Sequence, residues 1–184
     1  PSNKSGLVEW VERQLHFRAQ SPSIEERAFQ AKKYAEQMFV QGTAGVFDIS
    51  NGNQTARTLA EAGLSGLVQH ELLTMDRKRL PKVLAEVQNE RPAVRLEKSE
   101  IRVRPGPHAL YSTAPQLLRA SVAADLESPF SIHVGESEEE VAFVSDGRGP
   151  LADFLDCLGV DWRWWDPVGL PLVNYLDALG LLGP

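Results

Sequence analysis

A histidine and a glutamate lie three positions apart in the segment 130–136, whose sequence is FSIHVGE. A neutral imidazole binds divalent metals, and a nearby carboxylate can carry a proton to or from a metal-activated water. His133 and Glu136 are therefore candidates for a metal ligand and a catalytic proton shuttle. The pattern is short, and a solvated strand end is the alternative interpretation of it.

The residues around this pair predict a strand followed by a helix. Residues 129–132 form a short apolar run of the kind found in buried strands. Ser137 and the acidic run 138–140 are typical of a helix start, because carboxylates interact favourably with the positive end of the helix dipole. His133 and Glu136 should then lie at the carboxyl end of a strand, where α/β folds carry their chemistry.

Further strand signals precede this one and alternate with helix signals. We expect strands at 46–50, 66–73, 101–104 and 129–132. One predicted helix lies in each interval, a pattern typical of βα units with parallel strands and right-handed crossovers. The strands should therefore be adjacent in chain order, with helices on one face. The spacing alone allows a small doubly wound sheet or half of an eight-stranded barrel.

Apolar spacing and capping residues predict the helices. We expect them at 6–18, 23–42, 76–90, 113–126, 151–158 and 171–179, with one more after Ser137 and a short one that ends at Ala62 and is capped by Asn51 or Asn53. Residues 23–26 have the form of a capping box, and Gly42 suits the end of that helix. Ser112 or Thr113 is expected to cap the helix that contains Pro115.

Length, composition and charge indicate an ordinary soluble domain, and we expect a cytoplasmic protein. The 184 residues are 42% hydrophobic and 24% charged, close to the average for globular chains. A net charge of −6 without a basic stripe argues against a nucleic-acid partner. Cys157 is the one cysteine, so no internal disulfide can form. No apolar stretch reaches the ~20 residues of a membrane span, and no signal-peptide pattern is present.

Four segments of the chain carry a family resemblance through their sequences and their order. Their sequences are GVFDISN at 45–51, LVQHELL at 67–73, PHALYS at 107–112 and SIHVGES at 131–137. Together they resemble the metal-dependent amidohydrolases, in the branch that holds chlorohydrolases, cytosine-type deaminases and methylthioadenosine/S-adenosylhomocysteine deaminases. The last two segments in tandem are the most specific part of the match. Leu110 stands where the family usually has proline, and Gly135 where it usually has alanine.

The resemblance implies an α/β fold of a defined kind. The family fold is the (β/α)8 TIM barrel, and this chain would supply strands two to five with their flanking helices. Residues 1–184 would then form a single incomplete barrel domain. Residues 1–42 would be its helical lead-in, and residues 43–184 its βα units.

The resemblance also implies a chemistry and roles for single residues. The family holds its hydrolytic water with one or two divalent metals, of which zinc is expected here, with iron or manganese as alternatives. His133 would be the metal ligand from the fifth strand, and Glu136 the shuttle that activates water and then protonates the leaving amine. His108 would contact the substrate. His70 is a further substrate-binding candidate, with a hydrogen-bonded surface histidine as the alternative, and Glu71 is interpreted as a solvated turn carboxylate.

The remaining metal ligands of the family are absent from this chain. The family uses a His-x-His pair on its first strand, a histidine on its sixth and an aspartate on its eighth. The chain contains His16, His70, His108 and His133, and no His-x-His. Because a catalytic zinc has about three protein ligands, the 184 residues alone should neither hold zinc tightly nor turn over substrate.

We therefore expect a metal-dependent hydrolase of C–N bonds that acts on a small molecule, most simply by deaminating an aminated heterocycle. Hydrolytic dechlorination by the same chemistry is the alternative within this family. A non-catalytic α/β fragment that self-associates is the alternative outside it. In either case two open sheet edges and an uncovered core favour a homo-oligomer.

Overall fold

The computed structural model describes residues 6–20, 22–52, 54–89 and 100–182. Three strands lie in these ranges: β1 Gly45–Ser50, β2 Ser65–Leu72 and β3 Ile101–Pro107. The helices are α1 Leu7–Ala19, α2 Ile24–Val40, α3 Gln54–Glu61, α4 Leu80–Asn89, α5 Pro115–Ala123, α6 Glu138–Asp146, α7 Pro150–Cys157 and α8 Leu172–Ala178. Each described helix is too short or too polar to span a membrane.

The three strands form one parallel sheet in the order β1-β2-β3. Asp48, Val68 and Val103 lie side by side in its register. The connections pass through α3 and α4, as parallel pairing requires. The predicted strands, their direction and their order are confirmed for these three.

The prediction of a fourth strand at 129–132 is wrong. Within the described residues this segment is followed by a single parallel bridge, between His133 and Ala109. The Gln69 side chain takes the place of a strand partner: its Oε1 accepts from the Ser131 N–H at 2.8 Å, and its Nε2 donates to the Ser131 carbonyl at 2.8 Å. Because a side-chain amide satisfies both backbone groups of Ser131, no ladder forms there.

The Gln69 side chain crosses the next strand to reach this segment. Gly106 lies under it, and a Cβ on Gly106 would stand 2.1 Å from the Gln69 Cδ. Glycine is therefore required at this crossing, because any larger residue would displace the amide. We call this arrangement of Gln69, Gly106 and Ser131 the amide tie.

The two faces of the sheet differ in what covers them. One face packs under α2 and α3 in an apolar cluster that contains Ala35, Ala56, Leu59, Val46, Val68, Ile101 and Val103. The alternate residues of β1 point to the opposite face. There Phe47 is 45% exposed and Ile49 is 40% exposed.

Most predicted helix ends are confirmed, and those of α4 and α5 differ. Ser23 accepts a hydrogen bond from the Glu26 N–H at 3.1 Å, and Gly42 follows α2 with φ 94°. The helix predicted from residue 76 begins at Leu80, since the Asp76 carboxylate first accepts from the Lys78 N–H in a turn. The end of that helix at residue 90, and a cap by Asn53, lie outside the described residues.

The start of α5 differs from the prediction. Ala114 is its N-cap and makes no side-chain hydrogen bond, so neither Ser112 nor Thr113 caps the helix. Pro115 begins the helix instead, where its missing N–H costs nothing. Leu126, the last residue of the predicted helix, lies beyond the end of α5 and is 81% exposed.

Arg104 joins β3 to the residues that follow α5. The guanidinium is fully buried and donates to the carbonyl oxygens of Pro105 at 3.0 Å, Ser128 at 2.5 Å and Ser121 at 3.2 Å. Burial lowers the pKa of Arg104, and the negative charge of Asp125 partly opposes this effect. The side chain thus holds residues 121–128 against the sheet.

We expect Arg104→Met to lower the free energy of unfolding by about 3 kcal/mol, because buried carbonyl oxygens would lose their donor. Urea unfolding followed by circular dichroism measures the change. Arg102→Met is the matched control, since Arg102 lies on the same strand and is exposed. Equal losses in the two variants would contradict a structural role for the Arg104 contacts.

Candidate metal centre and active site

Two strands and the segment after Ser131 bring three candidate ligands together. Glu71 lies near the carboxyl end of β2, and His108 follows the last residue of β3. His133 is tied to the same edge, because its N–H donates to the His108 carbonyl at 2.8 Å. Carboxyl ends of parallel strands meet at one edge of a sheet, so residues distant in sequence share one site.

The side chains of Glu71, His108 and His133 each offer one ligand atom, and these atoms all lie within 4.8 Å of one another. His133 Nε2 is 4.0 Å from Glu71 Oε1, and the two imidazole rings have centroids 5.2 Å apart. One carboxylate oxygen and two imidazole nitrogens are a donor set that fits zinc and similar divalent metals. The fold thus gives His133 two neighbouring candidate ligands that the sequence analysis did not assign to a metal. We call these three residues the ligand trio.

Glu136 contacts the ring of His133 on its other nitrogen. Its Oε1 lies 3.1 Å from His133 Nδ1, within hydrogen-bond distance. A carboxylate at this position fixes the tautomer of the imidazole, so that Nδ1 carries the proton and Nε2 keeps a lone pair for a metal. Glu136 is thus placed to orient a ligand as well as to move a proton.

Tyr111 supplies a hydrogen bond to the same carboxylate. Its hydroxyl donates to Glu136 Oε2 at 3.4 Å. Burial raises the pKa of Tyr111 well above its usual value, and the negative charges of Glu136 and Glu140 raise it further. The hydroxyl therefore stays protonated and remains a donor at neutral pH.

Ser112 holds the second imidazole of the ligand trio. Its Oγ lies 2.6 Å from His108 Nδ1 and 3.4 Å from the Ala109 carbonyl. The His108 ring also packs edge-on against Tyr111, with centroids 5.7 Å apart. Ser112 therefore orients the His108 ring. It does not have the helix-capping role that was predicted for it.

Glu71 and His70 occupy opposite faces of β2, since neighbouring side chains of a strand alternate. The Glu71 side chain is only 10% exposed and faces His133, so its interpretation as a solvated turn carboxylate was wrong. His70 pairs in register with Ser50 and Pro105 and is not part of the ligand trio. Its role in binding substrate stays a prediction.

Glu140 was missed by the sequence analysis. It is the third residue of α6 and is fully buried. Its Oε2 accepts from the Glu136 N–H at 2.8 Å, while its own N–H donates to Ser137 Oγ at 3.2 Å. Burial raises the pKa of Glu140, and the hydrogen bond from the Glu136 N–H partly opposes this effect. The predicted cap by Ser137 is confirmed, and its spacing to Glu140 was the signal that could have identified this residue.

A cavity of about 420 Å³ opens beside the ligand trio. Glu71, His108 and Tyr111 line one part of it. Apolar side chains of α1 and α7 line another part, among them Trp10, Val11, Leu15, Leu151, Phe154 and Leu155. A volume of this order accommodates a small organic molecule.

Two known deaminases are similar to this chain. The 5′-deoxyadenosine deaminase of Methanothermobacter thermautotrophicus is 30% identical over 138 residues, which cover 72% of this chain and 27% of the relative. The Helicobacter pylori aminofutalosine deaminase, solved in complex with methylthio-coformycin, is 25% identical with a TM-score of 0.52. The structural match covers 71% of this chain and 31% of that one. These relatives confirm the resemblance to the metal-dependent amidohydrolases.

A third protein shares the fold over nearly the whole chain. A triazine hydrolase variant superposes with a TM-score of 0.62 at 14% identity, over 97% of this chain and 41% of that one. No family model matches the chain. The chain thus spans about a quarter of the curated deaminase and less than half of each of these two solved proteins.

Proposed function

We propose that this chain is part of a metal-dependent hydrolase of C–N bonds that deaminates an aminated heterocycle. The ligand trio carries the proposal, because it combines three metal-binding side chains with a neighbouring carboxylate and a cavity. The activities for which the two deaminase relatives are named support it. An adenine-type nucleoside is the first substrate to test. One relative is named as a 5′-deoxyadenosine deaminase, and the other deaminase was solved in complex with methylthio-coformycin.

The metal of this proposal is zinc, held by Glu71, His108 and His133. Iron and manganese remain alternatives, since they accept the same donor atoms. A divalent metal supplies Lewis acidity and lowers the pKa of water. The chain supplies the positions of the ligands through the edge of the sheet, through Ser112 and through Glu136.

The overall reaction replaces an amino group by an oxygen. Water adds to the ring carbon that bears the amino group, the C–N bond breaks, and ammonia leaves. Glu136 takes a proton from the attacking water and returns it to the departing nitrogen, so no proton is lost or gained in the cycle. Tyr111 donates to Glu136 and helps to hold its carboxylate in place. His70 is the residue that we propose contacts the substrate. His108, which the resemblance assigned to the substrate, is assigned to the metal in this proposal because it belongs to the ligand trio.

The proposed architecture is a part of a (β/α)8 barrel in one domain over residues 1–184. The three strands of the sheet would be strands two to four of the barrel, and residues 129–133 would take the position of the fifth strand. Three parallel strands in chain order support it, as does the bridge that places residue 133 beside the end of β3. The similarity in fold to the triazine hydrolase over 97% of the chain supports it further. In this arrangement Phe47 and Ile49 would face the barrel interior.

The test of the proposed activity uses the protein encoded by the complete reading frame, loaded with zinc. Adenosine and 5′-deoxyadenosine are supplied as substrates, and ammonia release is measured in a coupled assay. Release that depends on zinc supports deamination. Chloride release from a chlorinated triazine without any ammonia from the nucleosides would contradict deamination and indicate dechlorination instead.

We expect the 184-residue chain to self-associate. β1 is an edge strand of the described sheet, and Phe47 and Ile49 beside that edge are 45% and 40% exposed. Burying such residues and pairing the open edge favours dimers or larger species. Sedimentation velocity at micromolar concentration measures the mass, and Phe47→Lys should weaken the association. A stable monomer of the unchanged sequence would contradict this prediction.

A further inference from the structure

Glu140 forms an unusual helix cap next to the proposed shuttle. In a capping box the third helical residue accepts from the N–H of the N-cap residue, which is Ser137 in α6. Here the Glu140 carboxylate reaches one residue further and accepts from the Glu136 N–H at 2.8 Å. The carboxylate therefore holds the backbone of Glu136, within the segment that connects His133 to the helix.

The turn that Glu140 holds has a conformation of its own. Gly135 has φ 72°, in the left-handed region that residues with a Cβ rarely adopt. The chain bends at Gly135, between His133 and Glu136, and Glu136 Oε1 lies 3.1 Å from the ring of His133. Glycine at position 135, where the family usually has alanine, is therefore suited to the turn that Glu140 fixes.

The burial of Glu140 costs free energy that capping alone does not require. The residue is fully buried, and its Oε1 makes no hydrogen bond to any described residue. An ordinary capping carboxylate lies at the protein surface, where water satisfies both oxygens. A buried carboxylate with one unsatisfied oxygen is tolerated where it has a further role.

We infer that Glu140 is a positioning residue, which fixes the 135–136 turn so that the Glu136 carboxylate faces Nδ1 of His133. The inference rests on the proposed function for its effect on turnover, but the geometric statement stands by itself. Loss of the Glu140 carboxylate should release Glu136 and leave the ligand trio in place. A misplacement of the order of 1 Å at a catalytic group costs up to about 100-fold in rate.

Three variants separate positioning from helix capping. Glu140→Ala removes the acceptor, whereas Glu140→Gln keeps an oxygen that can accept from the Glu136 N–H. Ser137→Ala removes the helix cap but leaves the bond between residues 140 and 136 intact. Glu138→Ala is the matched control, because Glu138 lies in the same helical turn and is exposed.

The first measurement needs no activity. Long-range proton–nitrogen spectra of the 184-residue chain report the tautomer of the His133 ring and its contact at Nδ1. We expect the His133 signals to change in Glu140→Ala and to stay unchanged in Glu140→Gln, Ser137→Ala and Glu138→Ala. Unchanged signals in Glu140→Ala, or the same change in Ser137→Ala, would overturn the inference.

The second measurement is turnover of the zinc-loaded protein from the complete reading frame. We expect kcat to fall about 10- to 100-fold in Glu140→Ala while KM stays within about twofold, and to recover in Glu140→Gln. An equal fall in Ser137→Ala would overturn the inference. If the unchanged protein releases no ammonia, the proposed function fails, and the spectra of His133 alone decide the role of Glu140.

Discussion

Glu136→Gln is expected to lower kcat about 10²–10⁴-fold in the zinc-loaded protein from the complete reading frame. The amide keeps the size of the side chain and its contacts with His133 and Tyr111, but it cannot take a proton from water. Zinc should remain bound, since Glu136 is not a member of the ligand trio. Steady-state ammonia release and elemental analysis of the same sample measure the two quantities.

The control for this prediction is Glu138→Gln. Glu138 is an exposed carboxylate two residues further on, in the first turn of α6. Its substitution removes the same charge from the same region and should leave turnover unchanged. Normal turnover in Glu136→Gln would remove Glu136 from the mechanism, whatever its contacts are.

His133→Ala is expected to lower the zinc affinity of the protein from the complete reading frame by more than about 100-fold. Losing a residue that only supports a ligand costs up to about 100-fold, and losing the ligand itself should cost more. Glu71→Gln and His108→Gln should each weaken zinc as well, because three ligand atoms within 4.8 Å of one another share the ion. Competition with a chromophoric chelator measures the affinity, and His133→Ala should also abolish turnover in the complete protein.

His70→Gln is the control for zinc binding. His70 is the sequence neighbour of Glu71, yet it lies on the opposite face of β2. Its substitution should not change the affinity. If His133→Ala weakens zinc while Glu71→Gln and His108→Gln do not, the ligand trio is not the site and the metal has other partners.

The sequence was sufficient for the parts of the fold that depend on local interactions. The strand run 46–50 depends on the residues within it, and the helix caps Ser23 and Ser137 depend on residues within the first helical turn. Apolar alternation and capping therefore predicted three parallel strands and most helix starts. The resemblance to amidohydrolases added His133, Glu136 and His108 as a group, and the structure brings these three close together.

The parts of the fold and of the site that the sequence did not predict depend on contacts between distant residues. The segment 129–132 has the composition of a strand, but the Gln69 side chain, 62 positions away, satisfies its backbone at Ser131. No local pattern reveals such a contact. Glu71 was missed for a related reason, because the face of a side chain depends on the phase of the strand. An error of one residue exchanges Glu71 with His70.

The amide tie also bears on how the site assembles during folding. Gln69 and Ser131 are far apart in sequence, so their bonds close a long loop and can form only after β2 and β3 have paired. His133 follows Ser131 closely and reaches the edge of the sheet with it. We therefore expect the β-sheet to form before the metal centre during folding. Zinc added early in refolding should leave the rate of sheet formation unchanged. It should accelerate only the last step, in which residues 131–133 dock on the edge of the sheet.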